Sequence, residues 1–259
     1  MIAAELIAAS VQLGGRLALF DADLAIGEGE VLGVVGANGA GKTTLLRALL
    51  GLARLSGGEA RLGGRPVDRL SDLERASLAG YLPQERRVAW NMPAWRIAAL
   101  GAVHRPPSEA HVRALAALEA VGVLDLAERG VRDMSGGERA RTLIARLLAT
   151  GAPVLAADEP TAGLDPEAAL RVMDVLRARA GAGAAVIVTL HDLTLAARSC
   201  DRLAVMSVGR ILTAAAPAEA LAAPILAEAF GLAGELITSP AGVVLAAERL
   251  TGERHQGLP

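Results

Sequence analysis

Gly36-Ala37-Asn38-Gly39-Ala40-Gly41-Lys42-Thr43-Thr44 is the stretch that decides the fold, because its first eight residues match the phosphate-binding pattern G-x-x-x-x-G-K-[ST]. Val31-Leu-Gly-Val-Val35 just before it is a short apolar run of strand type. Thr43 to Leu50 after it reads as an amphipathic helix, and Gly51 is placed to end that helix. A strand, a glycine loop and a helix turn successive backbone N–H groups and a positive helix N-terminus toward the β- and γ-phosphates of a nucleotide. In such a loop Lys42 neutralises phosphate charge and the Thr43 hydroxyl ligates magnesium. Lys42 is also the only lysine in 259 residues, every other basic residue being arginine. A compact ammonium on a flexible stem reaches into a phosphate cradle where a planar guanidinium fork fits less well.

Composition agrees with a nucleotide-handling α/β protein. Apolar residues make up 53% of the chain, enough for a sizeable core, but aromatics only 2%, so alanine, leucine and valine must fill it. A net charge of −2 gives no electrostatic footprint for nucleic acid. The single cysteine, Cys200, excludes an internal disulfide and reads as a small core residue. No apolar run has the length of a membrane span and the N-terminus has no signal-peptide pattern, which together point to the cytosol.

Three segments share one grammar, an apolar strand with polar residues at its C-terminal end. Val31 to Val35 leads into the glycine loop, Val154 to Ala157 into Asp158-Glu159, and Val186 to Leu190 into His191-Asp192. Ligands of open parallel sheets bind at that edge, so the three groups are expected to converge. Helical patterns at Glu167 to Ala180 and Leu193 to Ser199 separate the strands, as in a helix-covered parallel sheet. Leu6 to Leu13, Ala18 to Ile26 and Glu59 to Leu62 read instead as antiparallel strands beside it. From Glu85 to Thr150 strand signals fade. Helices are expected there at Ser108 to Val121 and Gly136 to Thr150, and a further one at Ala218 to Phe230.

The chemistry of two further clusters follows from residue type. An aspartate at a strand end, Asp158, can hold the magnesium that Thr43 and the phosphates also ligate. The next residue, Glu159, points elsewhere and can orient or deprotonate an attacking water. In Met134-Ser135-Gly136-Gly137-Glu138 the serine and glutamate form a capping box. The two glycines are not needed for that cap. They bare backbone N–H groups at a helix N-terminus, a second anion site that implies a nucleotide shared between two chains.

With these residues in hand the chain resembles the ATP-binding-cassette proteins, the ATPase subunits of ABC transporters, from about Leu6 to Phe230. GANGAGKT matches the Walker A loop, Val154 to Glu159 Walker B, and Ser135-Gly136-Gly137-Glu138 the signature, with glutamate for the usual final glutamine. Gln84 in Tyr81-Leu-Pro-Gln84 matches the Q-loop, Gly163-Leu-Asp165 the D-loop, and His191 the switch histidine. The resemblance implies a P-loop NTPase (RecA-like) parallel-sheet core with an N-terminal antiparallel β subdomain and an inserted helical subdomain. Residues 1–84 and 151–216 would form the nucleotide-binding core, 85–150 the helical signature lobe, and 217–259 a tail packed on the core. It implies ATP and Mg2+ as cofactors, with Gln84 joining Thr43 and Asp158 around the metal and sensing the γ-phosphate. His191 would hold the γ-phosphate or the attacking water. Two copies would pair head to tail, Ser135 to Glu138 and Asp165 of each closing over the other's ATP.

The family usually has an aromatic residue on the adenine shortly before Walker A, and the matching position here is Leu13. Weak discrimination between ATP and GTP is the expectation. Thr189 to Arg198, Ala227 to Gly231 and Ala89 to Trp95 resemble importers of iron-siderophore, haem and cobalamin. That resemblance implies a polytopic membrane permease as partner, a periplasmic binding protein linked through it, and residence at the cytoplasmic face of the membrane. A soluble chromosome-type ATPase of the same superfamily would need long heptad arms between Gln84 and Ser135, and the stretch is too short for them. A small-molecule P-loop kinase would lack the signature.

Overall fold

The computed structural model describes residues 1–85, 88–240 and 242–250. An antiparallel sheet at the N-terminus contains β1 (Ile2–Leu13), β2 (Arg16–Gly27), β4 (Gly57–Leu62) and β5 (Arg65–Pro66), in the order β2-β1-β4-β5. The main sheet contains β3 (Val31–Gly36), β6 (Ala79–Leu82), β7 (Val154–Asp158), β8 (Ala185–Thr189), β9 (Arg202–Ser207) and β10 (Arg210–Ala215), in the order β10-β9-β3-β8-β7-β6. Its neighbours pair in parallel except at β10, which runs antiparallel to β9 through a tight hairpin.

Each central strand is buried on both faces, so its alternate residues serve two cores. Leu32, Val34, Val154, Ala156, Ala185 and Ile187 face α1 (Lys42–Leu49) and the antiparallel sheet, meeting Leu45, Leu46 and Leu49 along with Leu6, Leu24 and Leu62. Val31, Val35, Leu155, Ala157, Val186 and Val188 face the opposite way. They meet α5 (Gly136–Ala149), α6 (Pro166–Gly181) and α7 (Leu193–Ser199), through Ile144, Leu176 and Ala196 among others. Ala156 and Ala157 are small for strand residues, but the register sets Tyr81 and Ile187 beside the first and Leu82 and Val188 beside the second. The larger neighbours fill the layer.

Gly33 shows why the sheet tolerates a glycine mid-strand. A Cβ there would lie 2.8 Å from the Cys200 sulfur, which packs directly on the strand. Burial pushes the Cys200 thiol up to about 12, so it stays protonated and unreactive. Native protein at pH 8 is expected to resist maleimide labelling and to label fully once unfolded in denaturant. Rapid labelling of the native state would contradict this packing.

Several elements differ from the sequence expectation. The main sheet gains β6, β9 and β10, and a short helix α2 (Asp72–Leu78) precedes β6, started by a Ser71–Glu74 capping box. The segment after Gln84 carries α3 (Ala94–Ala99) in addition to α4 (Pro107–Ala120) and α5. The stretch 218–230, read as one helix, is two: α8 (Pro217–Ala220) and α9 (Ala223–Phe230). Pro224 lacks an N–H and its ring would clash with the preceding turn, so the first helix stops and a second starts at the proline. The alanine-rich tail then forms a hairpin of β11 (Leu232–Ser239) and β12 (Gly242–Arg249), anchored by the Leu245 N–H donating to Thr194 Oγ1 on α7 at 3.2 Å. Positions 86–87, 241 and 251–259 of the expected lobe and tail lie outside the described residues. Among the described residues no helix is long and apolar enough to cross a membrane.

Candidate active site

Four neighbouring strand ends build the site. The glycine loop follows β3, His191 follows β8, Glu159 follows β7 and Gln84 follows β6, and those strands lie side by side in that order. Positions far apart in sequence therefore reach one edge, as the shared strand grammar predicted.

The loop is shaped by glycine at two places that admit nothing else. Gly36 (φ +156°) and Gly41 (φ +101°) lie in the positive-φ half of conformational space, and a Cβ on Gly41 would sit 2.8 Å from the Ala18 carbonyl oxygen. Gly41 then caps α1, whose first residue is Lys42. The Lys42 ammonium is buried and donates to the carbonyls of Gly36 at 2.7 Å and Ala37 at 3.1 Å. Burial draws its pKa below the usual lysine value, and the nearby charges of Glu159 and Asp158 oppose that shift. Its partners here are neutral carbonyl acceptors on the loop itself.

Asp158 is the hub of the acidic side. Its Oδ2 accepts from the Thr43 hydroxyl at 2.7 Å and its Oδ1 from the Thr189 hydroxyl at 2.6 Å, with the carboxylate almost fully buried. Thr189 Oγ1 in turn accepts from the Glu159 N–H at 2.8 Å. Glu159 takes φ +52°, a strained value for a non-glycine residue, and its Oε1 lies 2.6 Å from His191 Nε2. A serial chain Thr43–Asp158–Thr189–Glu159–His191 thus links the glycine loop to the ends of β7 and β8. Thr189, missed in the sequence, is the joint.

The Thr43 hydroxyl and Asp158 carboxylate are hard oxygen donors that share the loop edge, as a magnesium–phosphate complex needs. Among the described residues no cluster of three or more His, Cys, Asp or Glu could form an all-protein metal cage.

A cleft of about 640 Å³ gathers Asn38, Gly39, Ala40, Gly41, Lys42, Thr43 and Thr44 with Gln84, Glu159 and His191. Its other end is lined by Leu17, Ala18, Val208 and Gly209, none of which stood out in the sequence. Leu13 is not in that lining; it ends β1, half-exposed, at the Gly14-Gly15 turn. A larger hollow of about 760 Å³ between α8, α9 and the C-terminal hairpin is lined mainly by alanine, with Glu235 and Glu248, and lacks a convergent set of catalytic groups.

Ser135, Gly136, Gly137 and Glu138 stand outside the cleft, at the start of α5. Ser135 Oγ accepts from the Glu138 N–H at 3.3 Å, and Glu138 Oε2 accepts from the Ser135 N–H at 2.8 Å. That backbone bond, above all, holds the Glu138 carboxyl below its usual range. Asp165 also lies outside, capping α6 by accepting from the Ala168 N–H at 2.9 Å. None of these residues lines the chain's own cleft.

Comparison with known proteins settles the family. Residues 19–162 match the family model described as ABC transporter. This chain belongs to the ABC transporter family. The hemin import ATP-binding protein HmuV of Myxococcus xanthus is 41% identical over 229 residues, covering 84% of this chain and 86% of that protein. The cobalamin import ATP-binding protein BtuD of Halobacterium salinarum is 38% identical over 236 residues, covering 89% and 59%. Among solved structures, a dimeric ATP-binding cassette in a post-hydrolysis state with ADP and phosphate superposes with a TM-score of 0.75 at 25% identity, covering 83% of this chain and 98% of the other. A chain described as a metal-chelate type ABC transporter shares the fold at a TM-score of 0.82 over 97% of this chain, at 21% identity.

Proposed function

We propose that this chain is the ATP-hydrolysing subunit of an importer for a metal chelate of the haem, siderophore or cobalamin kind. The observation that carries the hydrolytic part is the 2.6 Å pairing of Glu159 with His191, one residue from the Asp158–Thr43 pair. The loop N–H groups and Lys42 hold the phosphates, and Thr43 and Asp158, with Gln84 lining the same cleft, hold magnesium, which neutralises phosphate charge when bound. Glu159 accepts the proton of the attacking water while His191 steadies that carboxylate and the γ-phosphate. The importer part rests on the names of the hemin and cobalamin relatives.

Two copies would act head to tail, so that Ser135 to Glu138 and Asp165 of one complete the cleft of the other. The division into a nucleotide core (1–84 and 151–216), a helical lobe (85–150) and a tail (217–259) gives the lobe that carries Ser135 room to swing. On this reading the dimer sits at the cytoplasmic face of the membrane beneath a polytopic permease, with a periplasmic binding protein feeding it indirectly and no role for nucleic acid. The deciding experiment reconstitutes the chain with its permease in vesicles and follows ATP-driven uptake of hemin, a ferric siderophore and cobalamin. Hydrolysis without uptake of any of the three would sink the chelate assignment; absence of hydrolysis would sink the whole reading.

The two tryptophans part company in a way that bears on the permease surface. Trp95 packs within the helical segment, edge-on to His111 at 4.6 Å between ring centroids, its Nε1 donating to Glu128 at 3.3 Å. Trp90 is 73% exposed. The segment behind it is fastened to the approach to Ser135. Asn91 Nδ2 donates to Asp133 at 2.8 Å, Asn91 Oδ1 accepts from the Arg132 N–H at 2.9 Å, and the Val131 N–H donates to the Met92 carbonyl at 3.0 Å. A force on Trp90 is therefore delivered to the signature loop. Trp90→Ala is expected to lower uptake in the reconstituted system by about tenfold or more, as loss of an aromatic anchor does. The isolated chain's thermal midpoint should move by less than about 2 °C, because an exposed ring contributes little to folding. Full uptake by the variant would remove Trp90 from the interface.

A further inference from the structure

Val208 is a residue that the fold itself does not account for. It occupies the first position of the two-residue turn between β9 and β10, with φ +45°, and Gly209 follows at φ +75°. Turns of this kind take Asn-Gly or Gly-Gly, and a β-branched residue at positive φ is a conformational outlier. Burial offers no compensation, since Val208 is 88% exposed. The turn is nevertheless fixed in place. The Gly209 N–H donates to the Ala40 carbonyl of the phosphate loop at 3.0 Å, and the Phe20 N–H donates to the Gly209 carbonyl at 2.8 Å.

What Val208 does face is the nucleotide cleft, whose lining it shares with Lys42 and the phosphate loop. At that end the large apolar side chains are Val208 and the half-exposed Leu17, and no aromatic lines the cleft among the described residues. Phe20 is committed elsewhere, its ring 4.0 Å from the Arg210 guanidinium. Methyl groups do nothing for phosphates. They do suit the flat, weakly hydrated face of a nucleoside.

We propose that Val208, together with Leu17, is the contact that holds the nucleoside part of the bound nucleotide, an aliphatic grip in place of an aromatic stack. The inference rests on the nucleotide reading of this cleft. It adds that the strained turn is kept for the side chain it presents. An aliphatic grip offers no hydrogen bond to the 6-amino group of adenine or the 6-oxo group of guanine, so it accepts either purine.

The test compares ADP, GDP and inorganic pyrophosphate, each with magnesium, by titration calorimetry. Pyrophosphate carries the same two phosphates with no nucleoside. Val208→Asn and Val208→Gly both suit the turn, so the variants fold, with a thermal midpoint equal to or above that of the parent. Both are expected to weaken ADP and GDP about threefold to tenfold, the effect of removing one aliphatic contact, and to leave pyrophosphate within about twofold. The parent should bind ADP and GDP within about threefold of each other, as a pocket without directed hydrogen bonds does. Unchanged ADP affinity in both variants overturns the proposal. A parallel loss for pyrophosphate also overturns it, because the turn would then act by bracing the phosphate loop. If the parent chain binds neither ADP nor pyrophosphate, the nucleotide reading fails and this inference fails with it.

Discussion

Glu159→Gln is expected to bind ATP as the parent does and to lose most of its turnover. The amide keeps the size of the carboxylate, and its oxygen can still accept from His191 Nε2, so the 2.6 Å contact and the strained backbone at φ +52° have no reason to change. What disappears is the capacity to take a proton from water. Removing a general base typically lowers the rate by about 10²–10⁴-fold. Because the groups at Ser135 and Asp165 lie outside the chain's own cleft, ATP that is held but not cleaved should bridge two copies. Gel filtration with ATP and magnesium should then show a dimer for the variant, and a monomer when ATP is withheld. Undiminished hydrolysis would remove Glu159 from the chemistry, and a variant monomeric in ATP would remove the head-to-tail pairing.

Thr189→Val should be nearly as damaging, and through stability as much as catalysis. Valine matches threonine in shape and strand preference, so the buried sheet position stays filled. Two hydrogen bonds vanish, one to the buried Asp158 carboxylate and one from the Glu159 N–H. Removing hydrogen-bond partners in a buried network costs about 1–3 kcal/mol for each group affected, so a loss of about 2–4 kcal/mol follows. For a domain of this size that lowers the thermal midpoint by roughly 5–15 °C. Turnover of the surviving folded protein should fall more than about tenfold, since Glu159 loses one of the contacts that hold its geometry. Thr189→Ser, which restores the hydroxyl, should recover most of both. A valine variant matching the parent in melting and rate would show that the joint is dispensable.

The parts of this site that could be read from sequence are those where chemistry forces residues into one contiguous stretch. Phosphate binding needs its glycines, lysine and threonine in a single turn, so the loop was legible residue by residue, and Asp158-Glu159 and His191 followed from strand ends. Thr189 was hidden because its role arises only when β7 and β8 lie side by side, and an apolar run ending in threonine looks the same without that pairing. Val208 was hidden for a similar reason: its turn reaches the phosphate loop only through pairing of β9 with β3. Strands as short as β6 leave too little alternation to recognise. The C-terminal hairpin was obscured by alanine, which favours helix in isolation but packs in a strand when α7 and α9 supply a surface. Pro224 did carry the break between α8 and α9, and in a run of good helix formers it was the one residue that should have outweighed them.

The pairing of β3 also sets a timetable for the chain's synthesis. Val31 finds its partner in Val186, and Leu32 finds its other neighbour in Arg202, so the strand that carries the phosphate loop waits for the last third of the protein to leave the ribosome. The antiparallel sheet at the N-terminus has all its partners by Pro66 and can assemble while translation continues. Nascent chains that stop before residue 185 would thus expose an unpaired, wholly apolar strand and have no site to close around ATP. Nucleotide in the cell can stabilise only finished molecules, and truncated ones are left with the sticky edge that chaperones and proteases recognise.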